Sequence, residues 1–341
     1  MFDMDWDIIG HVWAANMLQQ HIAAGMMRHA YLFSGPTGVG RRTLALRFAQ
    51  AVNCTQPPAP GFACGECRTC KQIDKMQYTD LTIIQSEDEG SVLKVEKVRD
   101  LQHYLSLAPY EGRYRVALLL RFEEANANAQ NAILKTLEEP NPKVLLLMTA
   151  DDPENLLPTI TSRCELLRLR PLAVDELASA LVTGENLSNE NANLIAHISA
   201  GRVGFAKRLA GDEELLDRRT QWMKDLIMLL SANRVGRFQY SEKITKIDKK
   251  DRSESKKALW EGLGYWLSFW RDVMLVSTKS DMPIANIDLG DSIKKIAGTV
   301  SSQEAAGIVS SLEHAFIRIQ HANLQLMLDA ILLDWPIIKA K

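Results

Sequence analysis

Over its first 170 or so residues the chain alternates brief apolar runs with longer amphipathic stretches. The runs are Tyr31-Leu32-Phe33, Leu81-Thr82-Ile83-Ile84, Val116-Ala117-Leu118-Leu119-Leu120 and Val144-Leu145-Leu146-Leu147-Met148. Each is short and apolar at successive positions, the pattern of a strand buried on both faces, so the four predict a parallel α/β sheet with helices on either side. After Pro171 the strand pattern stops. Residues 173–210 predict short helices with Leu177, Leu181, Leu194, Ile198 and Phe205 in their core, and the acidic Gly211-Asp212-Glu213-Glu214 predicts a linker. From Leu215 onward the pattern is helical. Ile308, Leu312, Ala315, Ile319, Ala322, Leu326, Ala330 and Leu333 recur every three or four residues, one stripe on one long helix, and Trp266 and Trp270 sit a turn apart on another. A helix-bundle core accounts for these positions better than a subunit contact does. Residues 237–257 carry eight Lys or Arg and four Asp or Glu without apolar periodicity, which predicts a mobile, solvated loop ahead of a DNA-touching patch.

At ~150 residues per domain, 341 residues imply two or three domains. The 46% apolar and 24% charged content is ordinary for a globular protein, and no apolar run nears the roughly 18 residues that span a bilayer. Residues 1–7 are acidic where a secretory signal is basic, so the expected location is the cytoplasm. With 40 basic against 42 acidic residues the net charge is −2. No global basic field attracts nucleic acid, and any DNA contact must come from a local patch. Four of the five cysteines, Cys54, Cys64, Cys67 and Cys70, follow the spacing C-x9-C-x2-C-x2-C. In a reducing compartment such clustering favours metal over disulfides. Two overlapping CxxC steps bend consecutive thiolates onto one ion and a fourth closes a tetrahedron, so the expectation is structural Zn²⁺ with no open coordination position. Unliganded thiols and an iron–sulfur cluster are the alternatives.

The string from His29 to Ala45 runs an apolar strand into Ser34-Gly35-Pro36-Thr37-Gly38-Val39-Gly40 and then into a helix with Leu44, Phe48 and Val52 on one face. Glycines in this context let backbone N–H groups converge on a phosphate at a helix N-terminus. The pattern requires Lys and then Ser or Thr after the last glycine, and here Arg41 and Arg42 stand there. Arg is a planar fork where Lys is a compact charge, and Arg42 has no hydroxyl for Mg²⁺. Thr43 is one residue further on and points about 100° away around the helix. ATP and Mg²⁺ therefore lack their usual partners in this chain, and a turn kept after its ligand was lost explains the same residues. Glu123 and Glu124 end the third apolar run as a Walker B pair would, holding Mg²⁺ and orienting water. Acidic residues opening a helix also simply complement its dipole. Thr149, ending the fourth run, is the candidate γ-phosphate sensor.

Together with these elements, Ile9-Gly10-His11, Asn131-Ala132-Ile133-Leu134-Lys135-Thr136-Leu137-Glu138-Glu139-Pro140 and Thr161-Ser162-Arg163-Cys164 resemble bacterial DNA polymerase III clamp-loader subunits of the AAA+ superfamily, the delta-prime subunits above all. The resemblance covers about 210 residues well, and the rest only as a helical collar that includes Asn323-Leu324-Gln325-Leu326. It implies a P-loop sheet domain over 1–170 with a zinc-binding insertion at 54–70, a helical lid over 171–211 and an all-α collar over 212–341. It also implies that Arg163 acts in trans, as an arginine finger on the ATP of a neighbouring subunit. Cys164 is then a small buried residue and no ligand. Where family motors carry a lid arginine in a Gly-x-x-Arg step, this chain has Gly201-Arg202-Val203-Gly204. With Arg41 and Arg42, Gly204 points to a stator whose own site does not fire. The implied partners are tau or gamma motors and delta in a hetero-pentameric ring, with the sliding clamp and primed DNA met through the complex. A tau- or gamma-like motor, which would turn over ATP alone, is the first rival. A zinc-dependent nucleic-acid-binding protein, which would bind DNA alone in a salt-sensitive way, is the second.

Overall fold

A computed structural model describes residues 6–87, 90–246, 252–319 and 322–338. Most of the acidic start, residues 1–5, and the middle of the basic stretch, residues 247–251, lie outside the described residues. The chain divides into two compact units, Met1–Ala173 with Gly201–Phe205, and Val174–Ala200 with Ala206–Lys341.

In the first unit β1 (Ala30–Ser34), β2 (Leu81–Ile84), β3 (Arg115–Leu119), β4 (Val144–Ala150) and β5 (Glu165–Arg168) form one parallel sheet in the order β2-β3-β4-β1-β5. Four of these are the apolar runs. The fifth is not among them, because in β5 only Leu167 is fully buried and the short strand is bounded by the half-buried Glu165 and the exposed Arg168. The helices of this unit are α1 (Val12–Ala23), α2 (Arg41–Asn53), α3 (Arg68–Asp74), α4 (Val95–Ser106), α5 (Ala127–Glu138) and the short α6 (Pro158–Thr161). Successive strand residues point to opposite faces, and each face has its own core. Tyr31, Phe33, Val116, Leu118, Leu145 and Leu147 pack with Leu18, Leu44, Phe48 and Ile73 of α1, α2 and α3. Leu32, Ala117, Leu119, Leu146 and Met148 pack with Leu101, Leu105, Ile133, Leu137 and Ile160 of α4, α5 and α6. Because the strands are parallel, the loops leaving β1, β3 and β4 emerge at one edge, with β4 between the other two.

The rest of the chain is helical: α7 (Val174–Glu185), α8 (Asn189–Ile198), α9 (Val203–Gly211), α10 (Glu213–Ser231), α11 (Arg234–Thr245), α12 (Arg252–Ser277), α13 (Gly290–Ala297), α14 (Ser302–Arg318) and α15 (Leu324–Asp334). Among the described residues no helix is long and apolar enough to cross a membrane. Several expectations are corrected here. The acidic linker is a one-residue joint, in which Asp212 caps α10 by accepting the N–H of Leu215. Leu194 and Phe205 are only half-buried. The single long striped helix is two, since Asn323 caps a new helix by accepting the N–H groups of Gln325 and Leu326. The break shifts the buried face, so Leu324, Leu328, Ile331 and Leu332 are buried while Leu326 and Leu333 are exposed.

The described parts of the basic stretch are helical, with α11 running to Thr245 and α12 starting at Arg252. No apolar stripe announced α11 because its buried face includes Arg237 and Ser241 beside Tyr240. Arg237 is 2% exposed and pairs with no carboxylate among the described residues. It donates to the carbonyls of Leu229 (3.1 Å), Leu332 (2.6 Å), Trp335 (2.7 Å) and Pro336 (2.8 Å), closing the C-terminal ends of α10 and α15. The adjoining core is aromatic: Trp266 meets Trp222 and Trp335 edge to face with centroids 5.3 and 5.0 Å apart. Arg237→Met strips donors from four carbonyls and is expected to lower stability by about 2–4 kcal/mol, read as an earlier midpoint in urea unfolding followed by tryptophan fluorescence.

Candidate functional site

The loop after β1 turns through Gly35, Gly38 and Gly40 at φ values of +142°, +87° and +115°, which a side chain would strain. Directly after it α2 begins, so its unpaired N–H groups and the positive end of its dipole meet the loop. Gly38 is closely covered. Gly204 donates its N–H to the Gly38 carbonyl at 2.7 Å, and a β-carbon on Gly38 would lie 3.1 Å from that of Phe205. The position matched to a lid arginine is thus backbone packed on the loop.

Arg41 is 7% exposed. One of its terminal nitrogens pairs with the Asp151 carboxylate at 2.6 Å and reaches the Thr37 hydroxyl at 3.3 Å, while that hydroxyl donates to Asp151 at 3.1 Å. Its other terminal nitrogen is buried without a hydrogen-bond partner. Arg42 points elsewhere and contacts the Met76 sulfur at 2.9 Å, and Thr43 is exposed.

The two glutamates after β3 diverge. Glu123 accepts the Asp151 N–H at 3.1 Å, and its second oxygen is buried without a partner. Burial pushes its carboxyl above the usual carboxylate range; the Asp151 charge adds to this and the Arg41 charge opposes it. Glu124 turns away from the loop and is fully engaged. Arg121 Nε donates to both its oxygens at 3.0 Å, the Gly90 N–H donates at 2.7 Å, and the Ser86 hydroxyl donates as well. Arg121 itself sits at φ +49°, and the Thr149 hydroxyl accepts its N–H at 2.9 Å. Thr149 is buried in the sheet and supports that turn. The structure therefore gathers Arg41, Glu123, Asp151 and Thr37 at the loop, and leaves Arg42, Thr43, Glu124 and Thr149 outside this group.

Arg163 follows α6. One terminal nitrogen donates to the Thr159 carbonyl at 2.9 Å and the other pairs with Glu138 at 2.7 Å, the guanidinium side chain remaining 35% exposed. Cys164 packs against the second core, and burial pushes its thiol up to about 12.

The four clustered cysteines come from the end of α2, the following turns and the start of α3. Their sulfurs all lie within 4.8 Å of one another. Cys54 and Cys64 are 3.5 Å apart, Cys54 and Cys67 4.0 Å, and Cys64 and Cys70 4.0 Å. A tetrahedral zinc site with Zn–S bonds of about 2.3 Å needs sulfurs about 3.8 Å apart, so donors and spacing fit. Backbone N–H groups of Cys64, Cys67 and Cys70 donate to the sulfurs of Cys54, Cys64 and Cys67 at 3.3, 3.3 and 3.4 Å, as suits thiolates.

A family model described as "DNA polymerase III, delta subunit" matches residues 10–173. The delta' subunit of Bacillus subtilis is 27% identical over 318 residues, 93% of each chain. That of Pseudomonas aeruginosa is 41% identical over 136 residues, 40% of this chain and 41% of that one. This chain belongs to the AAA+ clamp-loader family of DNA polymerase III. Within that family it is also 36% identical to the tau subunit of Salmonella typhimurium over 184 residues, 54% of this chain. The match spans only 28% of the length of that tau subunit. A crystal structure of a DNA polymerase III gamma subunit-related protein from Thermotoga maritima shares the fold, with a TM-score of 0.51 at 15% identity over 94% of this chain and 97% of that one.

Two residues of this clamp-loader chain escaped the sequence reading. Asp151 and Glu138 both stand in strings already singled out, but their arginine partners come from distant elements and only folding brings them together. Removing the Asp151 carboxylate leaves a buried guanidinium without its counter-charge. Asp151→Ala is expected to cost about 1–3 kcal/mol in chemical denaturation, and combining it with Arg41→Met to recover most of that loss.

Proposed function

We propose that the chain is a delta-prime-type stator of the DNA polymerase III clamp loader. In this reading it lends Arg163 to the ATP site of an adjacent tau or gamma subunit while its own loop does no hydrolysis. The ring would be a hetero-pentamer with delta, loading the sliding clamp onto primed DNA. What supports the reading is the contrast between two arginines. Arg41 is buried and closed on Asp151 in a loop without the lysine and hydroxyl that phosphate and Mg²⁺ need. Arg163, in the Ser-Arg-Cys string, sits at the surface on an exposed carboxylate. At a triphosphate, such a guanidinium stabilises charge developing on the γ-phosphoryl oxygens. The match to the Bacillus subtilis delta' subunit along 93% of the chain favours the same role.

The motor reading draws on the tau relatives. It requires ATP turnover by the isolated chain, whereas Glu124, its best candidate for orienting water, is already held by Arg121, Ser86 and Gly90. In the complex rebuilt from purified subunits, Arg163→Ala is expected to leave assembly intact and cut clamp-stimulated ATP turnover by about tenfold or more. Turnover equal to that of the unaltered complex sinks the stator reading. ATP hydrolysis by the isolated chain at a rate comparable to the complex favours the motor.

Cys54, Cys64, Cys67 and Cys70 are the proposed ligands of one Zn²⁺. Four thiolates fill its coordination, so the ion pins the insertion between α2 and α3 and takes no part in chemistry. Cys67→Ser is expected to drop bound zinc from about one ion per chain to near none by elemental analysis, with protease cleavage appearing within residues 54–70. Full zinc content in that variant contradicts the assignment.

A further inference from the structure

We propose that Glu138 is a positioning residue for Arg163, holding its guanidinium ready for a neighbouring subunit's triphosphate; this rests on the reading of Arg163 as a finger acting in trans. The segment that carries Arg163 is weak on its own. α6 is four residues long, far below the length at which a helix persists unaided. The longer α5 steadies it at both ends. At the start of α6, Gln130 accepts the Leu157 N–H at 2.9 Å, and the same side chain donates to the Ala125 carbonyl at 3.1 Å, which fixes its orientation. Ile160 is fully buried against the second core. Past the other end, the last residue of α5 is Glu138, whose carboxylate takes the Arg163 guanidinium at 2.7 Å while the Thr159 carbonyl takes its other terminal nitrogen at 2.9 Å.

The two contacts engage opposite arms of a planar fork that offers five N–H groups. They fix the plane of the guanidinium and use only part of its donor capacity, leaving N–H groups for phosphate oxygens. An arginine chain that is already ordered loses less freedom when it engages a ligand, and small errors in placing a catalytic cation are costly in rate. Glu138 is itself half-exposed, so the pair is held loosely enough to re-form around an anion. The carboxylate also places negative charge near an incoming triphosphate, an effect opposite in sign to positioning. The amide of glutamine separates the two, since it still accepts a hydrogen bond from Arg163 but carries no charge.

The test uses the assembled clamp loader with clamp and primed DNA, carrying Glu138→Ala, Glu138→Gln or Arg163→Ala in this chain, with assembly checked by size-exclusion chromatography. Glu138→Ala is expected to lower kcat for ATP by about threefold to tenfold with KM changed less than twofold, and Glu138→Gln to retain most of the turnover. Turnover in Glu138→Ala equal to or above that of the unaltered complex overturns the proposal, as does an equal fall in both Glu138 variants. The Arg163→Ala complex tells the two failures apart. If it loses turnover while Glu138→Ala does not, only the role of Glu138 fails; if neither loses turnover, the finger itself is lost.

Discussion

A guanidinium taken wholly or partly out of water must find acceptors within the fold, and around the sheet of the first unit three of them find carboxylates. Arg41 meets Asp151, Arg121 meets Glu124 and Arg163 meets Glu138. In each pair one member lies within a string that reads as nucleotide chemistry, and the pairing decides what that string can still do. Asp151 occupies the cation of the phosphate loop. Arg121 occupies the second carboxylate after β3, and with it the residue that would orient a water. What looks from the sequence like a damaged ATPase site is, in three dimensions, a set of closed ion pairs.

The sheet places these pairs, and the sheet was legible. Strands buried on both faces must be apolar at successive positions, so Ala30–Ser34, Arg115–Leu119 and Val144–Ala150 announced themselves, as did the partly buried Leu81–Ile84. β5 did not, because only one of its four residues is fully buried and charged residues stand at both its ends. The glycine turn and the cysteine spacing were equally visible, since both are local devices whose geometry is written in a dozen residues. The pairs Arg41–Asp151 and Arg163–Glu138 were not, because each joins segments far apart along the chain, and nothing in the spacing of Asp151 or Glu138 names the partner. The fate of Thr149 shows the same limit: its hydroxyl supports the turn at Arg121, a contact between neighbouring strand ends that no linear pattern records.

The helical half failed in a different way. Period reading follows an apolar stripe through any residue that does not break it, and the stripe from Ile308 to Leu333 passes straight through the junction where Asn323 starts a new helix. The phase resets there, which is why Leu328 and Ile331 are buried and Leu326 and Leu333 are not. α11 failed for the converse reason. Its buried face is built partly on Arg237, a charge satisfied wholly by carbonyl oxygens, and a hydrophobicity pattern counts such a residue as solvent-facing.

The same electrostatics bears on which arginine is available to a partner. Breaking a buried pair leaves an uncompensated charge, and costs of about 3–5 kcal/mol are typical. An exposed pair contributes about 0.2–1 kcal/mol, because water solvates both groups when they part. Arg41, itself buried but paired with a half-exposed Asp151, lies between the two limits, and Arg163, on a half-exposed glutamate, lies near the second. An anion offered to both would have to displace Asp151 from a dry guanidinium in one place and only compete with solvent-screened Glu138 in the other. The proposed division of labour therefore needs no movement of the fold: burial alone makes one cation a fixed part of this chain and leaves the other able to exchange its partner.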